Sequence, residues 1–257
     1  MKRAKYITAI YLPVGKPDDP ASCRFASRAL RGIHQVVIPA IERLERSQEV
    51  VGDALTVFID DKMKSHPNGK KAYELVKNSK LNVESFPGVL PELGFWCKKW
   101  HIALKSLEYF SQPVIWLDFT DAEIIGKFTE EEMAFLDNGR GIVCEWEKFR
   151  VFGLPMHLSN GQVHRGRQYQ PQTSIYYLAS EELPKLAIET NIDHDQMSLG
   201  HVMEEKYGIY QDEHKGCYEF SSKGLFDTGT RNCITNKSNT YESKIRHKYI
   251  PPKPKED

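Results

Sequence analysis

Short apolar runs alternate with longer amphipathic stretches along the first half of the chain. The runs are rich in β-branched and aromatic residues and end at Pro, Gly or Asp, which is the pattern of buried strands. The stretches between them repeat apolar residues at helical spacing. The predicted strands are 6–12, 54–59, 81–86 and 113–118, and the predicted helices are 24–46, bent or broken at Pro39, 70–78 and 95–110. This alternation is typical of a parallel sheet covered by helices on both faces.

The second half of the chain is more polar. A long polar loop is predicted over residues 154–171, between two strands and ahead of two helices. These strands are 141–146 and 173–178, and the helices are 181–190 and 195–207. The last segment, 237–255, carries six Lys or Arg residues against one Glu. It is predicted to be a basic tail that is extended or disordered at its end.

Composition narrows the class of protein. The 257 residues are 40% hydrophobic, and 35 Lys and Arg balance 35 Asp and Glu. That balance excludes a histone-like polycation and an acidic disordered chain. No apolar run approaches the roughly 20 residues that a membrane-spanning helix needs. The five cysteines contain no CxxC pair, which favours reduced thiols over a disulfide framework or a zinc site. We therefore expect a cytoplasmic protein with no membrane partner.

The strongest chemical signal is the apolar strand that ends in Asp118, with Asp121 three residues later. In open α/β sheets, ligands bind beyond the carboxyl ends of the strands. Two carboxylates placed there repel each other unless a cation lies between them. Their oxygens suit Mg²⁺ or Mn²⁺, which also bind phosphates. The alternative is that Asp118 caps the next helix and Asp121 lies on the surface.

An apolar strand that ends in Asp also occurs in P-loop ATPases, but their GxxxxGK[ST] loop is absent from this sequence. The chain resembles instead the nucleotide-sugar glycosyltransferases of the GT-A fold, in the order and spacing of its elements over about residues 6–216. One departure is clear, because those enzymes carry Asp-x-Asp and this chain has Asp118-Phe-Thr-Asp121. Besides the early first strand and the Asp118 strand, the matching segments are Asp60-Asp61, a helix with Lys98 and Lys99, Asp193-His194-Asp195-Gln196 and His214-Lys215-Gly216.

The resemblance implies an α/β fold with a GT-A-like mixed, mostly parallel sheet flanked by helices. One catalytic domain over residues 1–236 would combine a Rossmann-like nucleotide-sugar half, to about residue 125, with an acceptor half over 126–236. The basic C-terminal tail would follow over 237–257. The implied activity is metal-dependent transfer of a hexosyl or pentosyl group from a nucleoside-diphosphate sugar to a hydroxyl acceptor.

The resemblance also implies roles for individual residues. Mn²⁺ or Mg²⁺ would be held by Asp118, Asp121 and His214, and would stabilise the diphosphate leaving group as a Lewis acid. Asp195 would be the catalytic residue beside the acceptor, whose hydroxyl proton a carboxylate can accept. The implied donor-binding residues are Tyr11, Asp60, Lys98, Asp118 and Lys215.

Plainer alternatives stay open for several of these residues. Asp195 could be only an N-terminal helix cap. His214 could be a surface side chain in a polar loop. Lys98 and Lys99 could form a solvated helix face, and Asp60 could simply end a strand.

Basic and amide residues cluster over 162–172 and again in the tail. Arg and Gln in such segments contact phosphates and base edges, so Arg165, Arg167 and Gln172 are candidate acceptor contacts. The small size resembles that of phage enzymes that glycosylate hydroxymethylated pyrimidines in DNA. That resemblance predicts a bacteriophage DNA-modification enzyme of the host cytoplasm, with DNA as acceptor and the modified base flipped out. The alternative is a solvated loop and a solubilising tail.

Two other functional classes remain open. A metal-dependent nuclease or phosphohydrolase would use Asp118 and Asp121 as ligands and need no sugar donor. A nucleic-acid-binding module without catalysis would bind its partner unchanged after Asp118→Ala.

Overall fold

A computed structural model of the protein describes residues 4–11, 33–65, 69–86, 98–138, 140–148, 155–157, 161, 163–165, 169–192, 194–209, 215–229, 233, 235 and 240–247. The strands are β1 (Lys5–Ile10), β2 (Leu55–Ile59), β3 (Asn82–Ser85), β4 (Val114–Leu117), β5 (Ala122–Ile124), β6 (Ile142–Lys148), β7 (Pro155–His157), β8 (Val163–Arg165), β9 (Tyr169–Leu178), β10 (Phe226–Asp227) and β11 (Ile245–His247). The α-helices are α1 (Ile38–Val51), α2 (Lys70–Lys77), α3 (Lys98–Phe110), α4 (Glu130–Leu136), α5 (Glu182–Glu189), α6 (Asp195–Tyr207) and α7 (Lys215–Glu219). A π-helical turn spans Ile33–Val37, and a 3-10 turn spans Asp61–Lys64.

A six-stranded sheet has the order β3-β2-β1-β4-β9-β6. Its first four strands pair in parallel, and β9 runs antiparallel to both β4 and β6. Since β4 and β6 each oppose β9, they point the same way, and β9 alone is reversed. The predicted α/β class, with a mixed and mostly parallel sheet flanked by helices, is therefore confirmed.

The two faces of the sheet carry separate apolar cores. Along β4, Ile115 and Leu117 pack into the core that also holds α1, whereas Val114 and Trp116 pack into the core of α3 and α6. All four of these side chains are buried. Burying one large apolar side chain contributes about 1.5–3 kcal/mol. This two-sided burial explains why the strand reads as an unbroken apolar run rather than an alternating one.

Most elements predicted from periodicity are confirmed within a few residues. Strand 54–59 is β2, strand 113–118 is β4, and helix 195–207 is α6 with the same bounds. The predicted break at Pro39 is the change from the π-helical turn to α1, where Pro39 lies in the first helical turn. Proline is tolerated there because the first amide groups of a helix have no partner within it. Residues 24–32 lie outside the described part of the chain.

The prediction of one long loop over 154–171 is wrong. This region contains the β7–β8 hairpin and the first residues of β9. β9 is therefore longer than the predicted strand 173–178, because its polar start, Tyr169–Gln172, continues the pairing with β6. The register shifts between Cys144 and Glu145, where the paired residue of β9 jumps from Tyr176 to Gln172. A polar, irregular strand start carries no apolar alternation, so it resembles a loop in sequence.

A second, three-stranded sheet has the order β10-β11-β5. Its middle strand, β11, lies within the segment predicted as the tail. This strand pairs antiparallel with β5, and β5 begins directly after the Asp118–Asp121 turn. Arg246 strengthens this pairing by donating from Nε (3.0 Å) and Nη2 (2.8 Å) to Glu123 Oε2. The pairing places His247 opposite Ala122, beside that turn. Among the described helices, none is both long and apolar enough to cross a bilayer.

Candidate functional site

The carboxyl ends of β1, β2, β4 and β6 meet at one edge of the main sheet, as the parallel directions of these strands require. Polar side chains stand at each end: Tyr11 after β1, Asp60 after β2, Asp118 after β4 and Glu147 near the end of β6. Ligands of open α/β sheets bind at this kind of edge.

Asp118, Asp121 and His247 form a candidate metal cluster. One ligand atom from each residue lies within 4.8 Å of the others. A tight turn joins the two aspartates, closed by the bond from Ala122 N to Asp118 O (3.1 Å). This turn brings both carboxylates together although their spacing is one residue longer than Asp-x-Asp. The two carboxylates are ligands that suit Mn²⁺ or Mg²⁺, and the imidazole nitrogen favours the softer Mn²⁺ of the two.

Helix α1 and strand β11 hold the turn that carries the aspartates. Arg43, on α1, donates from Nη2 to the Thr120 carbonyl. Ser47 Oγ, one turn further along, accepts from Ile124 N (2.9 Å). On the other side, His247 Nε2 lies 3.0 Å from Asp121 Oδ2. Burial alone would lower the pKa of His247, but its bond to Asp121 and the charges of Asp121 and Asp118 raise that pKa.

Lys99, on α3, links Asp118 to Asp195, and we call these three residues the charged centre. The buried Lys99 ammonium lies 3.1 Å from Asp118 Oδ1 and 3.0 Å from Asp195 Oδ2, and donates to Thr173 O at 3.0 Å. These partners match the three N–H groups of an ammonium. Asp118 Oδ1 also accepts from Trp116 Nε1 (3.0 Å), which leaves Oδ2 as the oxygen available to a cation.

Lys99 and Asp195 stay ionised because each supplies a counter-charge for the other. Burial alone would lower the pKa of Lys99, but the charges of Asp118 and Asp195 outweigh it and raise that pKa. Burial would likewise raise the pKa of Asp195, yet the charge of Lys99, then that of His194 and the Thr173 hydrogen bond, lower it. Asp195 is 3% exposed. It is thus a buried carboxylate with a low pKa and a fixed counter-ion.

Two of the plainer alternatives are wrong. The cap of α6 is His194, whose Nδ1 accepts from Met197 N (3.4 Å), and Asp195 is the first helical residue. Lys98 and Lys99 are 4% and 5% exposed, so they do not form a solvated face. The reason is that α3 packs on the sheet beside α6, where Trp100 Nε1 bonds to Ser198 Oγ (2.9 Å).

Beyond Asp195, the edge continues into Glu147, Gln172 and Gln196, which we call the amide cluster. Gln196 Nε2 donates to Glu147 Oε1 (3.3 Å) and to Gln172 Oε1 (3.1 Å). Gln172 Oε1 also accepts from Ser174 N and Ser174 Oγ. Burial raises the pKa of the partly buried Glu147, and the hydrogen bond from Gln196 offsets only part of that rise.

The predicted donor residues at the ends of β1 and β2 lie at the same edge. Tyr11 is close enough to Lys99 and Tyr176 to influence the pKa of each. Asp60 is 7% exposed, and its Oδ1 caps the 3-10 turn by accepting from Lys62 N (3.0 Å). Within the described residues, its Oδ2 has no hydrogen-bond partner.

Several predicted positions cannot be compared with the structure. His214 and Arg167 lie outside the described residues, and so do the side chains of Arg165 and Lys215. Their roles therefore stay predictions. Gln172 is described, but its carbonyl oxygen is already bonded within the amide cluster.

Sequence reasoning missed the roles of three residues at this edge. Lys99 shares the apolar stripe of α3 with Ala103 and Ser106, and that stripe is a signal for its burial. His247 had been assigned to a basic tail, and Glu147 lies beyond the predicted end of its strand. Neither residue has a local sequence signal for its neighbours.

No protein-family model matches the chain, and the curated proteins contain no match either. A fold class by itself does not define an activity, so the function rests on the chemistry of the site.

Proposed function

We propose that the protein is a metal-dependent glycosyltransferase that moves a sugar from a nucleoside-diphosphate sugar to a hydroxyl acceptor. The observation that carries this proposal is the Asp118–Asp121–His247 cluster at the carboxyl end of a central strand. A divalent cation bound there would neutralise the diphosphate and stabilise it as a leaving group.

The residues beside the cluster support a nucleotide donor. β1 adjoins β4, and β2 adjoins β1 on its far side, so Tyr11 and Asp60 extend the same edge away from Asp118. Asp60 offers a buried carboxylate oxygen that accepts no hydrogen bond within the described residues. A carboxylate at a strand end is suited to a ribose hydroxyl, because that hydroxyl can donate to it. The proposed donor thus places its nucleoside over β1 and β2 and its diphosphate at Asp118.

Lys99 supports the same arrangement by holding the first metal ligand. Its contact with Asp118 Oδ1 fixes one carboxylate oxygen and places a positive charge beside it. The second oxygen then serves the cation. Metal affinity depends on such surrounding contacts as well as on the ligands themselves.

A panel of sugar nucleotides tests the proposal. UDP-glucose, UDP-galactose, UDP-N-acetylglucosamine and GDP-mannose would be added with Mn²⁺ or Mg²⁺, and Tm and release of nucleoside diphosphate followed. We expect one donor to raise Tm only with metal, and Asp118→Ala to abolish the shift. Asp53→Ala is the matched control, because Asp53 precedes β2 at the opposite edge of the sheet. It should respond like the wild type.

DNA containing hydroxymethylated pyrimidines would then be offered as acceptor beside simple polyols. Transfer to that DNA would support the narrower proposal of a DNA-modifying enzyme. Cleavage of plain DNA or of a phosphodiester, with no response to any donor, would instead support a nuclease or phosphohydrolase that uses the same metal cluster.

A further inference from the structure

We infer that Glu147 is the catalytic base of the proposed transfer and takes the proton of the acceptor hydroxyl. This inference rests on the proposed function, and it moves the base from Asp195 to a residue that no sequence motif marked. It follows from the position of Glu147, from its free oxygen and from the state of the alternative carboxylate.

Glu147 stands at the right edge and at a suitable distance. It lies near the carboxyl end of β6, which points the same way as β4, so it shares the edge that carries Asp118. One strand, β9, separates β6 from β4. Adjacent strands lie about 4.8 Å apart, so two spacings separate the strands by about 10 Å. A sugar whose diphosphate binds at Asp118 would span a distance of this order to reach Glu147.

The side chain of Glu147 is anchored by one oxygen only. Oε1 accepts from Gln196 Nε2 (3.3 Å), and Gln196 is itself fixed by Gln172. Oε2 forms no hydrogen bond with any described part of the chain, and the Glu147 side chain is only partly buried. A base needs this combination of a fixed orientation and an open oxygen.

The groups that face Glu147 within the described residues are uncharged. Gln196 approaches from α6, Gln170 and Gln172 lie on β9, and Cys233 pairs with the Glu147 backbone. With no cation beside it, burial raises the pKa of Glu147, which makes the carboxylate a stronger proton acceptor.

Asp195 differs from Glu147 in its hydrogen bonds, in its charged neighbour and in its burial. Its Oδ2 contacts Lys99 and accepts from Thr173, and the side chain is almost fully buried. Protonating it would break a buried ion pair, whose loss is costly. Two carboxyl groups whose environments push their pKa values apart commonly divide their roles in this way. Here the base is Glu147, and Asp195 is the fixed counter-charge of Lys99.

The acceptor oxygen forms a bond to the anomeric carbon of the sugar while its proton moves to Glu147 Oε2. The bond from the anomeric carbon to the diphosphate oxygen breaks, and its electron pair leaves on the diphosphate. Because the base and the leaving group lie on opposite sides of the sugar, the configuration at the anomeric carbon is inverted.

The test uses Glu147→Gln in the full chain, since glutamine keeps the size and can still accept from Gln196. The donor is the sugar nucleotide that gives the largest Mn²⁺-dependent Tm shift, and the acceptors are water and glycerol. We expect kcat to fall about 10²–10⁴-fold, the range for loss of a general base, while the KM for the donor changes less than about threefold. Glu108→Gln, an exposed acid of α3, is the matched control and should keep the wild-type kcat.

Two further readouts separate catalysis from a structural role. The wild-type rate should fall at low pH as Glu147 is protonated, and this fall should be absent from the residual rate of Glu147→Gln. The sugar first released into water should have inverted configuration by proton NMR.

A Glu147→Gln variant with wild-type kcat, or a product of retained configuration, would overturn the inference and leave the glycosyltransferase proposal standing. Metal and donor bound without any turnover by the wild type would also overturn it. A wild-type protein that binds no donor in the presence of Mn²⁺ would overturn both proposals.

Discussion

The charged centre and the amide cluster adjoin each other at one sheet edge, yet they treat their carboxyl groups in opposite ways. In the charged centre, Lys99 is shared by Asp118 and Asp195, so burial comes with a counter-ion. In the amide cluster, Glu147 meets only neutral amides in the described part of the chain. Burial without a counter-ion raises the pKa of a carboxyl group, whereas a close cation lowers it. The charge of the neighbouring groups therefore decides whether the pKa of a carboxyl group at this edge is raised or lowered.

We expect the two clusters to have different functions. The charged centre holds the candidate metal ligand Asp118 in one orientation. The amide cluster presents one open carboxylate oxygen. Changing residues in each cluster should therefore affect different properties: stability and metal affinity in the first, proton transfer in the second.

The largest effect on stability is expected from Lys99→Met. Removing the ammonium leaves the buried Asp195 carboxylate without its counter-ion, next to the partly exposed Asp118, and breaking a buried pair in this way costs about 3–5 kcal/mol. Urea denaturation monitored by circular dichroism measures the loss of unfolding free energy. Lys105→Met, which breaks the exposed pair with Glu108, should change that free energy by less than about 0.5 kcal/mol.

The double variant Lys99→Met with Asp195→Asn sharpens this test. Removing both charges together should recover part of the loss, because Lys99 and Asp195 are in contact and their effects are not additive. An unfolding free energy of Lys99→Met within about 1 kcal/mol of the wild type would contradict a tightly buried charged centre.

Metal affinity should depend on His247, the ligand contributed by β11. Loss of one of three ligands should weaken Mn²⁺ binding at least about tenfold, measured by isothermal titration calorimetry. His201→Ala is the control, since His201 lies on α6 and pairs with Glu205. Equal Mn²⁺ affinity in His247→Ala and the wild type would show that His247, and with it β11, contributes no metal ligand.

The pH dependence of stability should distinguish the two clusters by its sign. Asp195 has a lowered pKa in the folded state, so its contribution is present above the unfolded value of about 3.9 and is lost as pH falls through the folded pKa. The difference in unfolding free energy between the wild type and Asp195→Asn should therefore shrink on acidification. Denaturation curves between pH 7 and pH 3 measure this difference.

Glu147 should show the smaller and opposite effect. Its pKa is raised in the folded state, so its contribution is present below the unfolded value of about 4.3 and is lost as pH rises through the folded pKa. Glu147→Gln should therefore gain stability relative to the wild type as pH rises. A relative loss over that range would indicate a cation beside Glu147 and would remove the contrast between the clusters.

Local pattern was enough to predict the parallel half of the fold. β2, β4 and α6 each carry their periodicity within a short stretch, and the acid that ends β4 identified Asp118. These elements are buried on one face or on both, so burial and sequence pattern agree. The bounds of α6 match because its pattern ends at Gly208, which adopts the left-handed conformation at the helix end.

The remaining site depends on contacts that sequence spacing does not encode. His247 reaches Asp121 only because β11 pairs with β5, across a long stretch of chain. For Lys99 the sequence left a solvated helix face open as an alternative, because its two carboxylate partners come from distant elements, β4 and α6. The register shift beside Glu145 likewise decides which residues of β9 meet Glu147.

The central claim is most directly tested by crystals grown with Mn²⁺ and a nucleoside diphosphate. We expect one anomalous peak from manganese, with Asp118, Asp121 and His247 as its protein ligands at about 2.0–2.3 Å. The diphosphate should complete the coordination shell. Manganese bound elsewhere, or a diphosphate bound away from the end of β4, would contradict the proposed site and the function built on it.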